Sequence, residues 1–213
     1  MSREAKILAG IVLLITGAMV ALFVVGGNSS KPSDSATKAD ASKLVHETSH
    51  KTGAGKVTVV EFGDYQCPAC GAAYPITKTV MEDYDGKITF VFRNFPLTMH
   101  KNAIPAAHGA EAAALQNKFW EMHDRLYEHQ NEWSELPDPS PFFDRYAGEI
   151  GMDVAKFKQD SASAAIKKIV EDDLADGQAV DIQATPTFYV NGVKAEAFDY
   201  DTLKRLIDEA LKS

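Results

Sequence analysis

The chain has 213 residues, of which 45% are apolar, 24% are charged and 9% are aromatic. This length and composition suit one sizeable folded domain and exclude a chain that is disordered throughout. Lysine and arginine total 22 and aspartate and glutamate total 30, so the formal net charge is −8. A basic face supplies most of the affinity for a phosphate backbone, and the acidic balance therefore argues against nucleic acid as a partner.

An uncharged apolar run of 19 residues, from Ile7 to Val25, lies near the N-terminus. As a helix it would span ~28 Å, close to the ~30 Å hydrocarbon core of a bilayer. The run exceeds the ~7–15 apolar residues of a cleaved signal peptide, and no clear small-residue cleavage site follows it. We therefore expect an uncleaved transmembrane anchor at 7–25, with a cleaved signal peptide as the alternative.

The segments that flank this run predict its orientation. Arg3 and Lys6 favour a cytoplasmic tail at 1–6 by the positive-inside rule. The rest of the chain would then lie outside the membrane, where disulfides persist. Residues 26–47 carry few large apolar side chains and are predicted to form a flexible linker.

Residues 46–50 match the H-E-x-x-H pattern of zinc proteases. That chemistry requires two histidines on one helical face, with the glutamate as a base. Gly53 and Gly55 would end any helix within two turns, and Lys56 stands where the extended motif has a third histidine. We interpret the segment as a solvated lead-in to the domain and expect no metal site here.

The first part of the domain predicts a strand, a helix and a second strand. A β-branched apolar run over 57–62 predicts a buried strand. A helix is predicted to begin around Cys67, because the proline that follows suits the first helical positions. Asp85-Gly86 would end that helix, and the run 87–95 predicts the next strand. This order predicts a parallel βαβ unit.

A helical block follows, in which apolar residues recur at helical spacing. Leu115, Phe119, Met122 and Leu126 are spaced by 4, 3 and 4 residues, which predicts one amphipathic core face. Further helices are predicted over 140–147, from Asp153, and through 166–174 with an end before Gly177.

The C-terminal part predicts a hairpin and a helix. Residues 187–190 are typical of a strand, and Asn191-Gly192 is a strong two-residue hairpin signal, since both positions need positive φ. The return strand is expected near 193–198, and apolar residues from Leu203 to Ala210 stripe a terminal helix.

The chain contains two cysteines, Cys67 and Cys70, at the predicted strand-to-helix junction. The thiolate is the attacking species in disulfide exchange, and a helix N-terminus favours that anion. Cys67 is therefore the expected nucleophile, and Cys70, one turn further, the resolving thiol of a redox-active disulfide.

The cysteine pair has two other interpretations. A purely stabilising disulfide gains little here, because a four-residue loop removes little entropy from the unfolded chain. Half of a metal site would need two more ligands, and the domain offers no second C-x-x-C or H-x-x-x-H motif. Redox chemistry is favoured, and it requires neither a metal nor an organic cofactor.

Residues 61–70 (EFGDYQCPAC), with Thr185-Pro186-Thr187 downstream, resemble the thioredoxin fold. More narrowly, the chain is similar to the DsbA-like thiol:disulfide oxidoreductases, which carry a helical insertion between the two halves of that fold. The resemblance covers about 48–213 and includes Asn94-Phe95-Pro96-Leu97. It implies an α/β, thioredoxin-like fold with an inserted helical subdomain at about 98–180, which would follow the anchor and linker.

The resemblance also implies three further site residues. Pro186 would be cis, and the Thr185 backbone would pair with an extended substrate chain beside Cys67; the alternative is a trans proline at the start of an edge strand. Glu61 would accept a proton from the resolving thiol. A carboxyl buried among valines has a raised pKa, which suits a base near neutral pH. The alternative for Glu61 is a strand-end residue that faces solvent.

No catalytic role is expected for the histidines and large aromatic residues of the helical block: His100, His108, His123, His129, Phe119, Trp120 and Trp133. Together these features predict a single-pass membrane protein with an extracytoplasmic thiol–disulfide oxidoreductase domain. It would introduce disulfides into exported polypeptides with cysteines, and an unidentified redox partner would reoxidise it. The alternatives are a reductase or isomerase of the same fold and, from a different class, a redox-inactive tethered binding module or holdase.

Overall fold

A computed structural model describes residues 38–213. The predicted tail, the anchor at 7–25 and the linker up to residue 37 lie outside the described residues. Within 38–213, none of the helices has the length and apolar character needed to span a bilayer.

The domain has a five-stranded mixed sheet with helices against both faces. The strands are β1 (His50–Gly53), β2 (Val57–Gly63), β3 (Ile88–Asn94), β4 (Thr187–Val190) and β5 (Val193–Lys194). The helices are α1 (Ala41–Leu44), α2 (Pro68–Asp83), α3 (Ala103–Ala114), α4 (Phe119–Glu128), α5 (Gln130–Trp133), α6 (Ser140–Glu149), α7 (Val154–Ser161), α8 (Ala164–Ala179) and α9 (Tyr200–Lys212).

The strand order across the sheet is β1-β3-β2-β4-β5. The central strands β2 and β3 are parallel, and α2 connects them, so the predicted βαβ unit is confirmed. The other three pairs are antiparallel. Because α2 follows the carboxyl end of β2, its N-terminus lies at that edge of the sheet.

Alternate residues of β2 face two separate cores. Val57 and Val59 pack with α2, α9 and the helical insertion, whereas Val60 and Phe62 pack with α1 and α8. Every second position of a strand faces the same side, so Glu61 lies on the α2 face of the sheet. Burying both faces of this strand explains its nearly continuous apolar sequence.

Helices α3 to α8 occupy residues 103–179, in agreement with an insertion at about 98–180. Two predicted details within it were wrong. Leu115 follows the end of α3 and is 54% exposed, while the other three residues of the expected stripe lie buried on α4. Helix α8 continues through Gly177 to Ala179, and the glycine serves close packing there, because a side chain would clash with the rings of Phe95 and Phe62.

The linker does not extend to residue 47 as predicted. Residues 41–44 form α1, and Leu44 is 2% exposed in the core on the α8 face. The Arg93 guanidinium donates to the carbonyl oxygens of Lys43 and Leu44 at 3.1 and 3.0 Å, which fixes this segment on the domain. The prediction relied on the polar composition of this segment, but burial of Leu44 and the hydrogen bonds to its backbone are sufficient to order it.

In the segment at 46–50, residues 46–48 are exposed, as predicted for a solvated lead-in, but the segment also leads directly into the sheet. His50 begins β1, an edge strand that the sequence reasoning missed and that pairs with β3. His46 Nε2 lies 2.6 Å from Asp176 Oδ2, and His50 Nε2 lies 2.8 Å from Glu111 Oε2. The two histidines therefore contact different carboxylates and do not share one helical face.

The hairpin is confirmed, with φ of 46° at Asn191 and 85° at Gly192. Its return strand is shorter than predicted, since β5 ends at Lys194. The α9 helix begins after Asp199, whose side chain accepts from the backbone N–H of Thr202.

Candidate active site

Cys67 is the N-cap residue of α2, and Pro68 occupies the first helical position. Its φ and ψ of −65° and 122° are extended, so the chain changes direction at this residue. The unpaired N–H groups of the first helical turn carry partial positive charge that favours an anion. The prediction that Cys67 lies at the helix tip is confirmed by this geometry.

Four hydrogen-bond donors lower the pKa of the Cys67 thiol to about 5. The Cys70 thiol has the largest effect, followed by the Thr185 side chain and the backbone N–H groups of Cys70 and Ala69. Burial of Cys67, which is 7% exposed, opposes ionisation but is outweighed. At neutral pH Cys67 is therefore mainly a thiolate.

Cys70 lies one turn further along α2, where it is fully buried. Burial is the main cause that raises the pKa of its thiol well above the usual value, and the hydrogen bond to Cys67 adds to this effect. The backbone N–H of Asp64 donates to its sulfur at 3.5 Å. The two sulfurs are not bonded to one another in the structure. The Cys67 thiol has the lowered pKa that suits a nucleophile, and the Cys70 thiol has the raised pKa and the burial that suit a resolving thiol.

Glu61 lies inside β2 and is 2% exposed, so the solvent-facing alternative is wrong. Burial raises the pKa of its carboxyl to about 8. The carboxylate form also raises the pKa of the Cys70 thiol, since the two negative charges would repel. A carboxyl near Cys70 that titrates close to neutral pH is suited to exchange a proton with that thiol.

The loop before β4 brings Thr185 and Pro186 to Cys67. The Thr185–Pro186 peptide bond is cis, as the family resemblance implied. The Cys67 Sγ lies 3.4 Å from the carbonyl oxygen of Thr185. Among the described residues the buried Thr185 hydroxyl has no hydrogen-bond partner, which leaves it able to donate to the Cys67 sulfur once that sulfur is ionised.

Asp64 joins the turn before Cys67 to the start of the insertion. Its buried carboxylate accepts from the backbone N–H of Gln66 at 2.8 Å and of Leu97 at 2.9 Å. His100 Nδ1 lies 2.7 Å from Asp64 Oδ2, so this histidine has a structural contact beside the site. Sequence reasoning missed Asp64, although an aspartate one residue after a strand is a common turn-forming signal.

Two buried glutamines also hold the turn. Gln66 donates to the carbonyl oxygen of Ser134 at 2.6 Å and accepts from the N–H of Asn102 at 2.6 Å. Gln130 donates to the carbonyl oxygens of Tyr65 and Cys67 at 2.7 and 2.9 Å. No sequence pattern singled out these residues, because a lone glutamine carries no spacing signal.

An aromatic layer lies behind the cysteines. Tyr65 and His123 are buried, and the Tyr65 hydroxyl lies 3.1 Å from His123 Nδ1. Burial lowers the pKa of His123 to about 3, so the ring is neutral. The Tyr127 ring packs against Tyr65, and its buried hydroxyl has no hydrogen-bond partner within 38–213.

The remaining histidines and aromatic residues named from the sequence lie away from the cysteines or in the core. His108 is in α3, His129 contacts Glu132, and the fully buried Trp133 donates to the carbonyl of Leu126. Trp120 packs on Phe90. Across the described part of the chain, no three histidine, cysteine or carboxylate side chains are grouped to hold a metal ion.

Comparisons with known proteins agree with this geometry. Residues 47–209 match the family described as Thioredoxin. A probable disulfide bond formation protein D of Bacillus cereus is 36% identical over 163 residues, which cover 73% of this chain and 74% of that protein. The crystal structure of oxidised BdbD from Bacillus subtilis is similar with a TM-score of 0.69 and 31% identity, covering 76% of this chain and 92% of that one.

A second group of relatives is named differently. A Na(+)/H(+) antiporter NhaA 1 of Mycolicibacterium vanbaalenii is 40% identical over 143 residues, which cover 65% of this chain and 22% of that protein. This chain thus spans about a fifth of the length of such relatives. On the family match, the B. cereus relative and the paired cysteines, the chain belongs to the thioredoxin family, among the thiol–disulfide oxidoreductases with a DsbA-type fold.

Proposed function

We propose that this protein oxidises pairs of thiols in other polypeptides through the Cys67–Cys70 disulfide. A substrate thiolate attacks Cys67 Sγ, forms a mixed disulfide and releases Cys70 as the leaving thiolate. A second substrate thiolate then attacks the substrate sulfur and releases Cys67. The substrate gains one disulfide and the cysteine pair gains two electrons; one of the two substrate protons is taken up at Cys70, and the other goes to solvent because Cys67 leaves as a thiolate.

The observation that carries this proposal is the lowered pKa of Cys67, to about 5, at the tip of α2. Donors that stabilise the thiolate stabilise the reduced form of the pair. A stabilised reduced form makes the disulfide a stronger oxidant, and reduction potentials in this fold extend from ~−270 mV for thioredoxin to ~−120 mV for DsbA.

Proton transfer at the buried thiol is assigned to Glu61. When Cys70 leaves as a thiolate it is surrounded by apolar side chains and needs a proton promptly. Glu61 is buried near it and, with a pKa of about 8, holds a proton at neutral pH. It is therefore the proton donor to Cys70 in the oxidising direction and the acceptor in the reverse direction.

The substrate chain is proposed to bind beside the Thr185–Pro186 loop. A cleft of about 250 Å³ is lined by Pro186, Thr187 and the partly exposed Phe198, among other residues. The Thr185 carbonyl lies 3.4 Å from Cys67 Sγ, so a chain that pairs with this loop passes the reactive sulfur. Backbone pairing would accept many sequences, which suits unfolded polypeptides.

We also propose that the domain acts on exported polypeptides outside the membrane, held by the apolar run 7–25. Disulfides persist in that compartment, and the positive residues before the run favour this orientation. A separate redox partner must remove the two electrons after each cycle. The NhaA relatives do not support an antiport function for this chain, since it matches only about a fifth of their length.

A reductase or isomerase is the second candidate, because it would use the same exchange from the dithiol form. The intervening Pro68 and Ala69 carry no charge or histidine to stabilise the thiolate further. The direction of disulfide exchange depends on the reduction potential of the cysteine pair, and the two candidate functions predict different values for it.

Redox equilibration of the full chain with glutathione separates these candidates. The oxidase predicts a potential well above ~−200 mV, and the reductase predicts one near ~−270 mV. Trapping completes the test: the Cys67 thiolate of reduced Cys70→Ser should attack a disulfide-bonded substrate, release one substrate thiolate and accumulate as a mixed disulfide, and Cys67→Ser should accumulate none. Equal trapping by the two variants would contradict the assigned roles.

A further inference from the structure

The turn that delivers Cys67 to the tip of α2 is held mainly by the helical insertion. The backbone turn itself closes with one hydrogen bond, from the N–H of Cys67 to the carbonyl of Asp64 at 3.1 Å. Side-chain contacts add to it from α5 and from the segments at 97–102 and around Ser134. The thioredoxin half of the domain therefore presents the sulfur, and the insertion fixes its backbone.

Gln130 is the contact nearest to the reactive residue. Its side-chain amide donates to the carbonyl oxygen of Cys67 itself at 2.9 Å and to that of Tyr65 at 2.7 Å. The Cys67 carbonyl also accepts the first helical hydrogen bond of α2, from the N–H of Gly71 at 3.1 Å. Gln130 thus binds the peptide group at which the chain enters the helix.

Gly71 provides the space that this contact needs. A side-chain carbon at position 71 would lie 2.4 Å from Oε1 of Gln130 and 3.2 Å from its Nε2. The Gln130 amide therefore lies against the first turn of α2, and any side chain at position 71 would displace it. A glutamine that made no contact with α2 would not require a glycine at position 71.

We propose that Gln130 is a positioning residue through which the insertion holds the Cys67 sulfur toward the N–H groups at the tip of α2. The inference rests on the thiol–disulfide exchange proposed above and concerns the same sulfur. The two donated hydrogen bonds fix the orientation of the Tyr65–Gln66 and Cys67–Pro68 peptide groups. That orientation determines how Cys67 Sγ faces the N–H groups of Ala69 and Cys70.

Loss of this contact is expected to destabilise the Cys67 thiolate, although no group that contacts the sulfur is removed. With the carbonyls released, the N-cap residue samples other backbone angles and the donors align with the sulfur for less of the time. Two buried carbonyls also lose their partner, so some loss of stability is expected in addition. Reactivity as a function of pH distinguishes positioning from stability alone.

The test measures the rate of iodoacetamide alkylation of Cys67 against pH in the reduced full chain. Gln130→Ala should raise the midpoint by about one pH unit, equivalent to an about tenfold smaller thiolate fraction below the midpoint. Gln130→Glu should raise it further, because a carboxylate there faces two carbonyl oxygens and adds negative charge. Gln116→Ala is the matched control, since Gln116 also bridges backbone groups, those of Asp153, but within the insertion.

A second variant keeps the test valid if the Gln130 variants fold poorly. Gly71→Ala places a carbon where the Gln130 amide lies, and alanine is a better helix former than glycine. The helix should be retained while the amide is displaced, so the midpoint should again rise. Gly109→Ala in α3 is its control, because the added carbon would meet Phe157 at an ordinary 3.6 Å.

Coincident profiles for wild type, Gln130→Ala and Gly71→Ala would overturn the inference, and so would an equal shift in Gln116→Ala. A low wild-type midpoint with no shift in these variants would contradict the positioning role alone. A wild-type midpoint near that of an ordinary thiol would instead contradict the proposed function. The two failures are therefore distinguishable in one set of measurements.

Discussion

The two faces of the sheet each bury ionisable groups, but they treat them in opposite ways. On the α8 face, Arg93 is 1% exposed and donates to Asp173 at 2.7 Å and to Asp176 at 2.8 Å. On the α2 face, Glu61 is as deeply buried, and burial alone raises its pKa to about 8. On the α8 face Arg93 is paired with two carboxylates, whereas on the α2 face Glu61 is held in its neutral form.

The difference separates buried groups that stabilise the fold in one fixed charge state from buried groups that can exchange a proton near neutral pH. Burial opposes ionisation of Asp176 as well, but hydrogen bonds from Arg93, Lys43 and His46 outweigh it and lower its pKa. A group fixed in one charge state cannot exchange protons near neutral pH. Glu61 and Cys67 both titrate within reach of physiological pH, and they lie on the face that carries the cysteines.

The largest expected effect is on exchange activity. Cys67→Ser should abolish reoxidation of a reduced, unfolded substrate, because the variant has no disulfide and its remaining thiol, Cys70, is fully buried and keeps its proton. The measurement is the rate at which free thiols of the substrate disappear. The serine variant should remain folded, since the replaced thiol is nearly isosteric. Residual activity above that of buffer would assign the chemistry elsewhere.

The second prediction concerns the paired face. Arg93→Met should lower the free energy of unfolding by about 3–5 kcal/mol, because removing one partner of a buried ion pair leaves the other uncompensated. Urea unfolding measures this loss, and the m-value checks that both proteins unfold in the same way. The pH profile of Cys67 alkylation should not change.

Arg205→Met is the matched control, because Arg205 pairs with Glu209 and Glu196 on the exposed surface of α9. Its stability should equal that of wild type within error. If Arg93→Met shifted the Cys67 profile, the separation between the two faces would be wrong.

The third prediction uses the pH dependence of stability. Below pH 4.5 Glu61 is neutral in both the folded and the unfolded chain. As the pH rises toward 8, the unfolded carboxyl ionises while the folded one stays protonated, so the folded state loses stability, by about 3 kcal/mol at pH 7. Glu61→Gln lacks this loss. The stability of the variant relative to wild type should therefore increase between pH 4 and pH 7.

That comparison is best made on the disulfide form, in which neither cysteine titrates. A constant offset between Glu61→Gln and wild type at the two pH values would mean that Glu61 ionises normally. In exchange assays the same variant should slow the release of Cys70, because the nearby acid is absent.

The smallest expected effect belongs to Thr185. Thr185→Val removes a buried hydroxyl that helps to lower the pKa of Cys67, so the alkylation midpoint should rise by less than one pH unit. Thr187→Val is the control beside the same proline, because its hydroxyl donates to the carbonyl of Ala184 instead. A shift in the control equal to that of Thr185→Val would attribute the effect to the loop backbone.

Patterns local in the sequence predict the centre of the site. A strand, a C-P-x-C motif and a helix lie within residues 57–83, so the position of Cys67 depends on neighbours only. The approach of Thr185 spans 118 residues and follows from the family resemblance, not from spacing. Burial of Glu61 is predictable because a carboxyl inside an apolar run has few ways to reach solvent.

Contacts between distant segments are not predictable in this way. Arg93 and Asp176 are 83 residues apart, and neither has a local pattern that names its partner. Strand β1 and helix α1 have four residues each, and such short segments do not show a repeating pattern of apolar residues. Gln130 gains its role from a gap at Gly71, which only the packing of α5 on α2 reveals.

The most direct test of the central claim is the ionisation of Cys67 in the wild-type protein. Alkylation of the reduced full chain is followed from pH 4 to pH 9, and mass spectrometry assigns the adduct to Cys67 or Cys70. We predict modification at Cys67 with a midpoint near pH 5. A midpoint near 9, the usual value for a thiol, or faster modification at Cys70, would contradict this claim.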